Sequence, residues 1–146
     1  MKLVDANVLL YAVNRDAEHH SIARTWLDAA LSGRETVGFA WTVILAFIWL
    51  STHPAVFPRP LSPDASITTM EAWLAQPAAI VVDPTARHLG LVRGLLAETG
   101  TAGNLVTDAH LASIAVEHGA ELVSFDADYG RFTGLRWSRP GAGVAG

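Results

Sequence analysis

The sequence predicts an α/β fold: a mostly parallel sheet of four to five strands with helices on both faces. Three observations predict it. Short apolar runs at Lys2–Asp5, Thr36–Phe39, Ala79–Val82 and Glu121–Phe125 read as strands, the first of them fully buried. Longer stretches at helical spacing separate them, and strands alternating with helices build parallel sheets. The chain has 146 residues and no Cys, with 51% apolar and 16% charged residues. That suits one domain with a large core, without disulfides or Cys-bound zinc.

Taken in order, Lys2–Asp5 is a strand ending in an acid. Asn7 can cap a short helix over Asn7–Val13. Glu18–Leu31 carries an amphipathic stripe of Ile22, Trp26, Leu27 and Leu31, and Ser32-Gly33 stops it. Thr36–Phe39 is a weak second strand. Thr42 can cap the helix Val43–Ser51, which is apolar nearly all round and so expected to be buried on several sides. This helix must end before His53-Pro54, because the residue before proline avoids the α region.

Ala55–Pro63, with Pro58, Pro60 and Pro63, reads as a stiff connector too short to separate domains. Asp64–Ala75 is a helix expected to turn Ile67, Met70, Trp73 and Leu74 inward. After the strand Ala79–Val82, Asp83 and Pro84 read as the cap and first residue of a helix Thr85–Glu98 with a stripe of Leu89, Val92 and Leu96. A turn over Gly100–Gly103 leads to a helix Asn104–His118 closed by Gly119. The strand Glu121–Phe125 and a last short strand at Leu135–Trp137 follow. Residues 1–140 are expected to form a single domain, with 141–146 a flexible Gly/Ala-rich tail.

The formal net charge of −4, with nine Arg and one Lys, argues against a broad non-specific grip on nucleic acid. It leaves room for a few Arg lining one groove. The apolar run Phe39–Leu50 is 12 residues, short of the roughly 20 that a membrane span needs. With no basic-apolar leader at the start, a cytoplasmic protein without membrane contact is expected.

Of fourteen acids, most have a plain reading. Asp16, Glu18, Asp28, Glu35, Glu71, Glu98, Glu117 and Glu121 fall on polar faces or near loops, and Asp64 and Asp83 fall at helix starts, where carboxylates cap. Asp5, Asp108, Asp126 and Asp128 resist it. Asp5 and Asp126 directly follow predicted central strands, so both should emerge at the carboxyl edge of the sheet, where open α/β folds bind ligands. Asp128 stands two residues beyond Asp126. Asp108 lies one turn into a helix on the side of Leu111, Ala112 and Ala115.

Were Asp5, Asp108 and Asp126 to converge, each pair of charges about 4 Å apart would cost roughly 4 kcal/mol at an effective dielectric of 20. Protonation or a cation would have to relieve this. All-oxygen ligands select a hard ion, Mg²⁺ or Mn²⁺, and no His/Cys spacing suggests zinc. The same acids also admit a purely structural reading: two strand-end turns and one buried aspartate paired with an arginine.

The motifs Asp5-Ala6-Asn7-Val8-Leu9-Leu10, Gly103-Asn104-Leu105-Val106-Thr107-Asp108-Ala109-His110-Leu111-Ala112 and Phe125-Asp126-Ala127-Asp128-Tyr129 closely resemble those of PIN-domain ribonucleases. Within them the match is to VapC-type toxins of toxin–antitoxin systems, particularly the actinobacterial subgroup. The resemblance runs from residue 2 to about 140. It implies a PIN-like three-layer α/β/α fold and a metal-dependent endoribonuclease that acts on tRNA, rRNA or mRNA. Such a toxin is often a homodimer, held inactive by a cognate VapB-type antitoxin. The metal-site acids carry over to Asp5, Asp108 and Asp126, with Asp128 a frequent further member, and Thr107 and Ser124 match polar positions beside them.

One departure matters: the family usually has a glutamate in the third helix, where Ala46 stands here, and relatives often have Arg where Trp49 stands. The expected chemistry is metal-assisted hydrolysis of an RNA phosphodiester, with Asn7 and Asp128 orienting ligands or waters from outside. His110 is a candidate for RNA contact or proton transfer, although its spacing from Asp108 puts it on another helix face. The alternative is a catalytically weakened PIN module acting by RNA and antitoxin binding. An aspartyl-phosphate phosphotransferase is a weaker reading, since Asp5-Ala6-Asn7 lacks the acid or Thr that should follow its nucleophile. Antitoxin is expected on the apolar surfaces of Glu18–Leu31 and Val43–Ser51.

Overall fold

Lys2–Val4 forms β1, the middle strand of a five-stranded sheet in which every pairing is parallel. The computed structural model describes residues 1–100, 103 and 105–141. β2 (Val37–Ala40) and β3 (Ala79–Val82) lie to one side of β1. β4 (Glu121–Val123) and β5 (Trp137–Ser138) lie to the other. Six helices surround the sheet: α1 (Ala6–Val13), α2 (His20–Leu31), α3 (Trp41–Ser51), α4 (Pro63–Leu74), α5 (His88–Thr99) and α6 (Leu105–Glu117). A short 3₁₀ segment, Ala127–Arg131, follows β4. No helix among the described residues is long and apolar enough to cross a membrane.

The central strands carry no polar alternation because both faces are covered. Leu3, Val4, Val37, Phe39, Leu122 and Val123 are all buried. Ala109, Ala112 and Ala115 on α6 are fully buried, and side chains this small let the helix approach its neighbours closely. α6 ends at Gly119, whose φ of 62° is the left-handed helix stop that glycine adopts without strain. The register Val4↔Val123↔Ser138 decides where the site is built. The residues after it, Asp5, Ser124 and Arg139, all leave the sheet on the same edge.

Several helix boundaries and faces differ from the sequence expectations. Asp5, not Asn7, caps α1: its side chain accepts the Ala6 N–H at 2.7 Å. α2 starts at His20, and Ile22 is exposed while Ala23, Leu27 and Leu31 face the core. α3 starts at Trp41 without a side-chain cap, so Thr42 does not cap it. The helix is not buried all round. Val43, Ile44 and Phe47 are covered, whereas Trp41, Leu45 and Trp49 stand in solvent, Trp49 at 64% exposure.

Ser62, rather than Asp64, caps α4 by accepting the Ala65 N–H at 3.0 Å, and Ile67 is exposed. α5 begins three residues later than expected. The Thr85 N–H is captured by the Glu117 carboxylate, and Thr85 Oγ1 accepts from the Arg87 N–H at 3.2 Å, so this stretch is held as a turn. Leu89 is then 80% exposed and Leu95 takes the buried position. The last strand is Trp137–Ser138, and β4 ends at Val123. Thr101 and Ala102 of the expected turn, Asn104, and the tail 142–146 lie outside the described residues.

Candidate functional site

Ser124 is the pivot of the carboxyl edge. It is completely buried, and its hydroxyl donates to Asp5 Oδ2 at 2.6 Å. The same oxygen accepts from Asn7 Nδ2 at 3.1 Å and from the Asp126 N–H at 3.0 Å. Asn7 closes the link by accepting the Phe125 N–H at 3.2 Å. One hydroxyl and one amide thus tie the start of α1 to the end of β4. Asp126 caps the 3₁₀ segment by accepting the Asp128 N–H at 2.9 Å.

Asp108 comes from the first turn of α6. Its Oδ1 accepts from the Tyr129 hydroxyl at 3.4 Å. Tyr129 is a site residue to which sequence reasoning gave no role at the acids. Its ring is buried, and its hydroxyl lies within the field of Asp5, Asp108 and Asp126. Burial and those three charges drive its pKa far up, so it stays protonated and donates.

The two acids beside these groups are perturbed in the same sense. Burial pushes the Asp5 carboxyl above its usual range. The Ser124 and Ala6 bonds oppose this, and Asp108 and Asp126 add to it. Burial and Asp126 raise Asp108, against the Tyr129 bond and Arg131. A carboxyl with a raised folded-state pKa keeps its proton to higher pH than in the unfolded chain. The folded state is then penalised as pH rises through that window. Without divalent ions, Asp108→Asn should therefore unfold at a higher urea concentration than wild type at pH 7, and the gap should vanish below pH 4. Urea titrations at the two pH values check this.

The carboxylates interact without closing up. Among the described residues no three His, Asp or Glu side chains are gathered closely enough to enclose an ion. Each acid is held by partners of its own, Asp108 by the Tyr129 hydroxyl. Asp5 is turned to its own helix cap and Ser124, and Asp126 to its own cap. Asp128 is exposed and paired with Arg131 at 3.1 Å, at the rim of the group. The donor set is nonetheless all oxygen, and neither Asp5 nor Asp108 has an ion-pair partner among the described residues. That chemistry fits a hard divalent cation.

Thr107 is exposed on α6, beside Asp108. His110 is turned away from the acids, into the α5–α6 seam. Its Nδ1 is 2.8 Å from His88 Nε2, and His88 Nδ1 is 2.8 Å from Glu117 Oε2. Burial and the neighbouring His88 push the His110 pKa down. Glu117, read from sequence as solvated, instead anchors this chain. Burial alone would raise its carboxyl, but the His88 and Thr85 bonds hold it below the usual range. Glu121 is likewise bonded, to Lys2 Nζ at 3.0 Å and to the Ser138 hydroxyl. Helical spacing gave no sign of either pairing, because both partners come from distant segments.

Comparisons with known proteins follow the same lines. The PIN-domain family pattern matches residues 2–135. The chain is 56% identical over 142 residues to Ribonuclease VapC37 of Mycobacterium tuberculosis H37Rv, covering 97% of this chain and 99% of that one. It is 38% identical to Ribonuclease VapC31 of the same organism over 140 residues, covering 96% and 99%. Among solved structures, VapBC2 from Rickettsia felis bound to a promoter DNA fragment superposes with a TM-score of 0.70 at 18% identity, covering 94% and 97%. VapC20 of Mycobacterium tuberculosis, described as a sarcin-ricin loop cleaving toxin, gives 0.67 at 16%, covering 93% and 99%. At those identities the structures speak for the fold.

Proposed function

From the premise that the chain belongs to the PIN-domain family, among its VapC ribonucleases, we propose that it is the toxin of a toxin–antitoxin pair, a cytoplasmic endoribonuclease with residues 1–140 as its single domain. The observation that carries the reading is the carboxyl edge itself: Asp5 is bonded to Ser124, Asp108 to the Tyr129 hydroxyl, and the charges of Asp5, Asp108 and Asp126 all act on that one hydroxyl. Asp5, Asp108 and Asp126 would hold Mg²⁺ or Mn²⁺, with Asp128 at the rim. When bound, such an ion polarises a phosphate oxygen and lowers the pKa of a water.

The chain's own residues do the rest. Ser124 fixes the rotamer of Asp5 through its donated hydrogen bond, and Asn7 holds Ser124. Tyr129 keeps its proton and directs it to Asp108 Oδ1, leaving the other oxygen of that carboxylate free to face the substrate side. Purified protein with Mn²⁺ should cut structured RNA, and EDTA should stop it. Cleavage that persists in EDTA would remove the metal from this account.

The antitoxin partner is supported by the exposed apolar faces of α2 and α3, which include Ile22, Trp41, Leu45 and Trp49. A homodimer would use part of the same surface. Co-purification with a small protein encoded beside it tests the pairing. The second reading, a weakened module that binds RNA without turnover, is favoured by one observation. α3 contains no acid, and Ala46 stands where the resemblance places the family's usual glutamate.

A further inference from the structure

The carboxyl edge bears four acids, Asp5, Asp108, Asp126 and Asp128, on a chain of net charge −4. A polyanion cannot lie across such an edge unless cations meet its phosphates. One cation is built into the edge itself. Arg139 directly follows β5, as Ser124 follows β4 and Asp5 follows β1. With strands about 4.8 Å apart, its backbone stands roughly 10 Å from that of Asp5, within the span of a short stretch of RNA.

The Arg139 guanidinium is held in place. It sits over the Phe125 ring, 5.4 Å from the centroid. One of its nitrogens lies 3.3 Å from His19 Nε2. A guanidinium only donates, so His19 Nε2 is the acceptor of this contact. The His19 ring is itself stacked on Phe125, with centroids 4.9 Å apart and planes within 10°, and Tyr11 meets both rings. Phe125 is pinned to the acid network through its N–H bond to Asn7. The positive charge is therefore at a set position relative to Asp5 and Ser124.

Arg139 has no carboxylate partner among the described residues. Arg131, the other arginine at this edge, is already taken by Asp128. A guanidinium whose charge rests over a ring, with one nitrogen at His19, keeps its other donors for a ligand, and its fork suits bidentate phosphate binding.

We propose that Arg139, seated on Phe125 and steadied by His19, is a phosphate-binding position that holds single-stranded RNA one or more nucleotides away from the acids. The proposal rests on the ribonuclease reading above. A contact to phosphate is independent of sequence, so a short, fluorescently labelled single-stranded RNA of mixed sequence is a sufficient probe.

The Asp108→Asn protein is titrated with this RNA at fixed low Mg²⁺ while KCl is varied. Adding Arg139→Ala should weaken binding about tenfold at low salt. It should also reduce the slope of log K against log salt by about 0.7, the value for one phosphate on a single strand. Arg139→Lys, which keeps the charge, should restore most of the slope. If the parent binds RNA but Arg139→Ala changes neither affinity nor slope, the phosphate position is wrong and the ribonuclease reading stands. If the parent does not bind RNA, both fall. An unchanged RNA titration with loss of the co-purifying antitoxin would reassign Arg139 to the protein partner and overturn the proposal. Arg139 is exposed, so thermal melts of all variants should coincide.

Discussion

Asp5→Asn should slow RNA cleavage by roughly a hundredfold to a thousandfold, because losing several kcal/mol of charge stabilisation slows a reaction tenfold for each ~1.4 kcal/mol. The fold should survive. The asparagine oxygen can still accept the Ala6 N–H that Asp5 accepts, and Asn is as good an N-cap as Asp. What changes is the atom facing Ser124. The hydroxyl loses the carboxylate oxygen to which it donates at 2.6 Å, at a cost of about 1 kcal/mol.

Asp108→Asn should give a similar loss of cleavage without touching a helix cap. Ser124→Ala, which leaves every acid in place but frees Asp5 to rotate, should fall between, at about 10–100-fold. Initial rates on a fluorescent RNA, with urea melts in parallel, separate the three. Rates equal to wild type in both acid variants would show that these carboxylates are not the reacting site.

Phe47→Ala should cost about 3–5 kcal/mol of stability. Phe47 is fully buried on α3 and meets Trp73 of α4 edge-on, with ring centroids 5.0 Å apart. It joins the two helices that carry the chain across one side of the sheet. Truncation removes the ring's burial and the aromatic pair and leaves a cavity that neighbouring helices can fill only partly. Against a typical total of 5–15 kcal/mol, that is a large fraction. The measurement is the urea midpoint. Phe47→Leu, which keeps most of the volume, should lose distinctly less, and equal losses in the two would argue against the cavity account.

The strands were the most legible part of the chain. Ala79–Val82 matches its expected bounds, and the other strands shift by only one or two residues at an end. A strand buried on both faces, as β2 is, must be apolar throughout, and that is visible without knowing its neighbours; β3 keeps an apolar run although Ile80 and Val81 are exposed at the sheet's edge. Helix faces were less legible. Ile22, Ile67 and Leu89 were expected inside and are exposed, while Ala23, Ser66 and Leu95 are buried instead. Periodicity finds an apolar stripe but not its width or which edge meets the sheet. On α3, where nearly every residue is apolar, it finds no face at all.

The candidate site divides in the same way. Asp5 and Asp126 were readable because an acid directly after a buried strand has one place to go. Asp108 was readable because an acid on the apolar side of a helix is out of pattern. Ser124 is reached through resemblance alone, and Tyr129 is given no role at the acids. Both act by hydrogen bonds across 119 and 21 residues of chain, to Asp5 and Asp108, and no local spacing encodes such a bond.

The sequence alone therefore determined the α/β class, the parallel sheet and the acids at its carboxyl edge, since these follow from what each short segment can bury or must expose. Tertiary structure decided the rest. Strand register set Asp5, Ser124 and Arg139 side by side. The hydrogen bonds of Ser124 and Asn7 set the rotamer of Asp5. Asp5 and Asp126 cap the segments that follow them, and Asp108 takes the Tyr129 hydroxyl. These are relations between distant segments, and their energies exist only once the chain has closed.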